Sequence, residues 1–138
     1  MRFWDSSAIV PLLVDQPESK DLSTLAQDRE GLAVWWGSVI ECASAIARST
    51  RAGALTPDHE AQALVLLDTL AESWTEIQPA PRVRDLARRL LRVHSLRAAD
   101  ALQLAAALVW ADGAPRLELV TRDLLLADAA RREGFVLR

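Results

Sequence analysis

The chain has 138 residues, enough for one domain with a substantial core, and its 51% hydrophobic and 25% charged content excludes a disordered chain. A net charge of −3 argues against an indiscriminate nucleic-acid binder. One cysteine and two histidines exclude a disulfide framework and leave too few nitrogen and sulfur ligands for structural zinc, so any metal here would be held by oxygen.

The opening Arg2–Trp4 reads as a short strand. Ser6 or Ser7 is expected to cap a helix that runs through Val14, with Pro11 making its start ambiguous. Residues 18–28, ending at Asp28, read as a second helix. The Val and Trp content of 32–36 predicts a buried strand. Ser38 is expected to cap a helix over 39–51, closed near Gly53. Thr56 before Pro57 is a cap residue followed by proline at the first helical position, which starts a helix to about Glu72. A strand over 74–78 follows. In the helix Pro81–Val93, Val83, Leu86, Leu90 and Leu91 form the apolar side, while Arg84, Arg88 and Arg92 step by four on another. Residues 97–110 form a more apolar helix. A strand over 117–121, a helix Leu124–Arg132 ended by Gly134, and a strand over 135–137 complete the chain. Strands alternating with helices imply one α/β domain over residues 1–138, built on a mainly parallel sheet.

Residues 8–14 are apolar, but Asp5 precedes them and no clean small-residue cleavage site follows, so no targeting signal is read. The stretch 101–111 contains Gln103 and is too short to cross a bilayer. Cytoplasmic residence without membrane attachment is therefore expected. Arg82, Arg84, Arg88, Arg89, Arg92 and Arg97 form a basic block in which Asp85 is the only acid. A solvated helix face explains it, and a patch for phosphate or for an acidic protein is the alternative. Trp4, Trp35, Trp36, Trp74 and Trp110 read as core, as does Cys42.

Four acids interrupt apolar surroundings: Asp5, Glu41, Asp100 and Asp123. Buried acids are costly unless paired, hydrogen-bonded or bound to a cation. Each also has an ordinary explanation. Asp5 and Asp123 sit at strand–helix junctions, where aspartate caps helices. Glu41 lies in a first helical turn, where the dipole favours an acid. Asp100 can pair with Arg97. In parallel sheets, however, sites form beyond the carboxyl ends of strands; Asp5 and Asp123 fall just after strands, Glu41 near the start of the helix that follows one, and Asp100 in the first turn of its helix. If they meet, Mg²⁺ or Mn²⁺ is the natural compensation.

The local sequences add specificity. Phe3-Trp4-Asp5-Ser6-Ser7-Ala8 resembles the opening segment of PIN domains. Ser38-Val39-Ile40-Glu41-Cys42-Ala43-Ser44-Ala45 resembles their second motif, and the stretch from Leu96 through Asp100 to Ala105 their third. Val120-Thr121-Arg122-Asp123, followed by a helix and Gly134-Phe135, is similar to the closing pattern. The ordered set covers nearly the whole chain, and its size resembles the small VapC toxins. The resemblance implies a three-layer α/β/α fold and a Mg²⁺- or Mn²⁺-dependent ribonuclease. It further implies a homodimer inhibited by a VapB-type antitoxin. Arg122 departs from the apolar or smaller residue often found there.

On this reading Asp5 and Asp100 are the principal metal ligands and Asp123 completes the site or holds a second ion. Glu41 orients the attacking water or acts as base. Ser6 and Thr121 would fix carboxylate rotamers, and Arg97 would steady Asp100 or reach a phosphate. Three other readings stand beside it. An aspartyl phosphotransfer site would need a late lysine, but Lys20 is the only lysine, and Ser7 stands where a second acid would be. A non-catalytic module could use the acids to hold an ion or a partner's arginines. A housekeeping RNA-processing nuclease would share every residue of the toxin.

Overall fold

The structure is a computed structural model that describes residues 1–27 and 31–138. Five parallel strands form one sheet in the order β3-β2-β1-β4-β5. They are β1 (Arg2–Trp4), β2 (Leu32–Trp35), β3 (Thr75–Ile77), β4 (Glu118–Val120) and β5 (Val136–Leu137). The helices between them are α1 (Ser6–Leu13), α2 (Ser19–Ala26), α3 (Ser38–Arg51), α4 (Pro57–Ala71), α5 (Pro81–Val93), α6 (Ala98–Ala111) and α7 (Leu124–Arg132). The second helix was expected to reach Asp28, which lies outside the described residues.

Side chains of a strand alternate between faces, and this alternation divides the core in two. Phe3, Ala33, Trp35 and Leu119 face α5, α6 and α7, joining Val83, Leu90, Leu104 and Leu126. Trp4, Leu32, Val34 and Val120 face the other way, joining Ile9, Leu22, Ile46 and Leu67 of α1–α4. Helices therefore cover both faces of the sheet, giving the α/β/α layering expected. The register places Phe3 beside both Ala33 and Leu119, so the central strand β1 is bonded on both edges. Phe3 and Trp4 are almost fully buried, and burying each such side chain contributes about 1.5–3 kcal/mol.

Several local expectations are corrected. Helix α1 is capped by Asp5, whose carboxylate accepts from the Ser7 N–H, and not by Ser6 or Ser7. Pro11 lies inside that helix and is buried. Helix α3 starts at Ser38 with Gly37 as its cap residue, so Ser38 is not the cap. A Cβ at Gly37 would stand 2.6 Å from the Trp35 indole nitrogen, which is why glycine suits this junction. Thr56 does cap α4, accepting from the His59 N–H. Trp36 falls just past β2 and is 50% exposed, and Leu91 is 43% exposed, so neither belongs to the core. Among the described residues no helix is long and apolar enough to cross a membrane.

After β1 the chain enters the α1–α4 layer, and after β4 it enters α7 in the opposite layer. These two strands are neighbours, so the crevice between their departing connections is the topological switch point where open parallel sheets place ligands.

Candidate active site

All four acids singled out in the sequence line one cleft of about 460 Å³ at this switch point. Asp5 leaves the end of β1, Glu41 lies in the first turn of α3, Asp100 in the first turn of α6, and Asp123 caps α7 after β4. Ser6, Ser7, Val10, Ile40, Ser44, Ala45, Arg48 and Ala99 complete the walls. A larger hollow of about 590 Å³ lies along α5, lined by Asp85, Arg88, Arg89, Leu91, Arg92 and Val93. It is bounded by one helix and gathers no convergent acids, so its size does not make it the better site.

The aspartates share one arrangement. Asp5 is 3% exposed, and its Oδ2 accepts three bonds: from Ser7 N at 3.2 Å, Ser7 Oγ at 2.5 Å and Thr121 Oγ1 at 2.9 Å. Asp123 Oδ1 accepts from Leu126 N at 2.8 Å, and Asp100 Oδ2 from Arg97 N at 3.3 Å. Each aspartate is thus anchored through one oxygen, and no described protein donor bonds the other. Glu41 differs, because both of its oxygens are held, Oε2 by Ser6 Oγ at 2.8 Å and Oε1 by Gln103 Nε2 at 3.2 Å.

The two hydroxyls on Asp5 are themselves fixed by backbone. Ser7 Oγ accepts from Arg122 N at 2.8 Å and Thr121 Oγ1 from Asp123 N at 3.1 Å, so the β4–α7 turn is tied to the start of α1. Thr121 and Ser6 hold carboxylates, as their positions suggested. For Arg97 it is the backbone N–H, and not the guanidinium, that bonds Asp100. Ser7, Ser38 and Gln103 were not expected among the site residues. Gln103 is fully buried on α6, donates to Ser38 Oγ at 3.0 Å as well as to Glu41, and its own Oε1 has no partner among the described residues. A polar residue on the apolar face of the helix from Ala98 to Ala111 was the available signal.

Burial is the main reason that the Asp5, Glu41 and Asp100 carboxyls titrate above their ordinary values. Hydrogen bonds from Ser7 and Thr121 act against this at Asp5, and those from Ser6 and Gln103 at Glu41. The acids also repel one another: Asp100 acts on Asp5 and on Glu41, and Asp123 acts on Asp100. Cys42 is buried beside Glu41, its thiol pushed up to about 12, which excludes it as a nucleophile at neutral pH.

Repelling carboxylates around a cleft favour a cation. Among the described residues no three His, Cys, Asp or Glu side chains stand close enough to grip an ion as a ready-made cage. An open oxygen site suits a hard ion that keeps much of its water, as Mg²⁺ does. Three aspartates that each keep one oxygen clear of protein donors fit that requirement.

No family model matches the chain, and no curated protein matches it in sequence. Its fold is shared with solved structures. PAE2754 from Pyrobaculum aerophilum superposes with a TM-score of 0.70 at 22% identity, over 97% of this chain and 81% of that one. FitAcB from Neisseria gonorrhoeae gives 0.66 at 18%, over 100% and 97%. A toxin–antitoxin complex from Klebsiella pneumoniae gives 0.63 at 18%, over 99% and 96%. At these identities the likeness is one of fold.

Proposed function

We propose that the chain is a PIN-type, Mg²⁺- or Mn²⁺-dependent endoribonuclease that hydrolyses RNA phosphodiester bonds. In this reading it is a VapC-like toxin, acts as a homodimer and is restrained by a VapB-type antitoxin. The observation that carries the proposal is the meeting of Asp5, Glu41, Asp100 and Asp123, drawn from four separate parts of the chain, in one cleft at the switch point. The antitoxin part is supported by the shared fold with the Klebsiella pneumoniae complex, whose toxin–antitoxin nature belongs to that protein.

Asp5, Asp100 and Asp123 would hold the ion through the oxygens that the protein leaves unbonded, with Glu41 beside them. When bound, the ion lowers the pKa of water and neutralises charge developing on the phosphate. The chain's own residues supply orientation. Ser7 and Thr121 lock the Asp5 carboxylate, and their backbone donors tie it to the turn that carries Asp123. Glu41, held at both oxygens and with its carboxyl raised by burial, would orient the attacking water or take its proton.

The test is cleavage of a mixed structured RNA pool by purified protein freed of any partner, with Mg²⁺, with Mn²⁺ and with chelator, beside Asp5→Asn and Asp100→Asn. Metal-dependent cleavage that vanishes in both folded variants is expected. Full activity in either variant would remove the assigned roles, and no cleavage by the metal-loaded wild type would favour a binding module.

A further inference from the structure

The cleft extends beyond the acids. On α3, Glu41, Ser44, Ala45 and Arg48 lie at i, i+3, i+4 and i+7 and all line it, so they form one continuous wall. On α1, Ser6, Ser7 and Val10 line it from the other helix. The α3 axis advances about 10 Å from Glu41 to Arg48, at roughly 1.5 Å per residue. Between those ends the α3 wall offers only Ser44 and Ala45, so the passage is not filled by large side chains. A long helical side chain leans toward its own N-terminus, which for Arg48 is toward the carboxylates.

Arg48 is the only cation among the lining residues. It is exposed, and among the described residues no carboxylate lies within ion-pair distance of its guanidinium. An arginine that served only to offset the crowded acids would be expected to pair with one of them. Its donors are instead left for a ligand that enters the cleft.

We infer that the Arg48 end of the cleft is a subsite for a second phosphate of a single-stranded RNA whose scissile phosphate lies at the four acids; this rests on the ribonuclease reading. A stacked strand advances about 3.4 Å per nucleotide. The phosphate at Arg48 is therefore within about three nucleotides of the one that is cut. The guanidinium also answers the problem an acidic cleft presents to a polyanion, by providing attraction beside the carboxylates and a direction for the strand along α1 and α3.

The experiment uses the full chain carrying Asp5→Asn, so that bound RNA stays intact, in Mg²⁺. Arg48→Gln, Arg48→Lys and Arg51→Gln are each added, and binding of a short fluorescent single-stranded RNA is followed by anisotropy between about 50 and 200 mM salt. Arg51 is a charge control, exposed in the last turn of α3 and outside the cleft. Arg48→Gln is expected to weaken binding about tenfold and to reduce the log–log salt slope by about 0.7, the value for one single-strand phosphate contact. Arg48→Lys is expected to keep the slope and lose part of the affinity, and Arg51→Gln to keep the slope. Equal effects of Arg48→Gln and Arg51→Gln, or none from either, would overturn the subsite. So would an Arg48→Gln variant that binds RNA normally and fails only to bind an antitoxin. The two readings separate cleanly. An Arg48-specific binding loss in a protein whose wild type cleaves nothing upholds the subsite and removes the nuclease. Wild-type cleavage without an Arg48 effect does the reverse.

Discussion

Replacing Asp5 by Asn should stabilise the metal-free protein at neutral pH. The amide oxygen can take the Oδ2 position and keep all three donors, Ser7 N, Ser7 Oγ and Thr121 Oγ1. The amide NH₂ then occupies the other position, and the charge that Asp100 and Glu41 repel is removed. Three bonds to a charged acceptor become bonds to a neutral one, a loss of roughly 1 kcal/mol each and about 3 kcal/mol together. Against this stands the penalty for burying an ionised carboxylate at 3% exposure, several kcal/mol. Burial outweighs the hydrogen bonds, because the carboxyl titrates above its ordinary 3.8. The variant should therefore gain on the order of 1 kcal/mol, or about 2–8 °C in Tm.

The pH dependence gives a second check on the same reasoning. A raised folded-state pKa means that the stability associated with the protonated form is fully present below 3.8 and is lost as pH rises through the folded value. The advantage of Asp5→Asn should thus be largest at neutral pH and close as pH falls. Thermal unfolding in chelator across this range is the assay. A lower Tm for the variant at neutral pH, or an advantage that grows on acidification, would refute the argument. With Mg²⁺ added, the wild type should gain stability by ligand linkage and the variant should gain less.

Two further outcomes are expected. Gln103→Leu removes the donor to Glu41 Oε1 but also an orphaned buried oxygen, so its unfolding free energy should change by less than about 1 kcal/mol while cleavage falls about tenfold; an unchanged rate would remove the positioning role. Cys42, buried with its thiol pushed up to about 12, should resist alkylation at pH 8 in the native protein and react on denaturation, as read by mass spectrometry.

Much of the secondary structure was legible because it rests on local rules. Thr56 before Pro57 marks a helix start whatever surrounds it, and Gly53, with φ +78, adopts the left-handed conformation that follows α3. The period-2 split of Phe3 and Trp4 between faces follows from strand geometry alone. Errors arose where a neighbour in space decided. Ser6 and Ser7 open α1 and Ser38 opens α3, yet Asp5 caps the first, and Ser38 accepts a bond from Gln103, 65 residues away. Trp36 resembled core by residue type, but β2 ends at Trp35 and the next side chain points out.

The amino-acid sequence by itself determined which acids were out of place, which strands and helices carried them, and that nitrogen and sulfur ligands were too few for structural zinc. Those properties depend on residue type and near-neighbour spacing. The tertiary structure alone decided that β1 and β4 lie side by side, and hence that Asp5 and Thr121, 116 positions apart, share a hydrogen bond. It also decided that, among the described residues, no protein donor bonds the second oxygen of Asp5, Asp100 or Asp123, and that Arg48 shares their cleft. Strand order and the packing of helices on opposite faces are long-range choices, and no local pattern in a chain contains them.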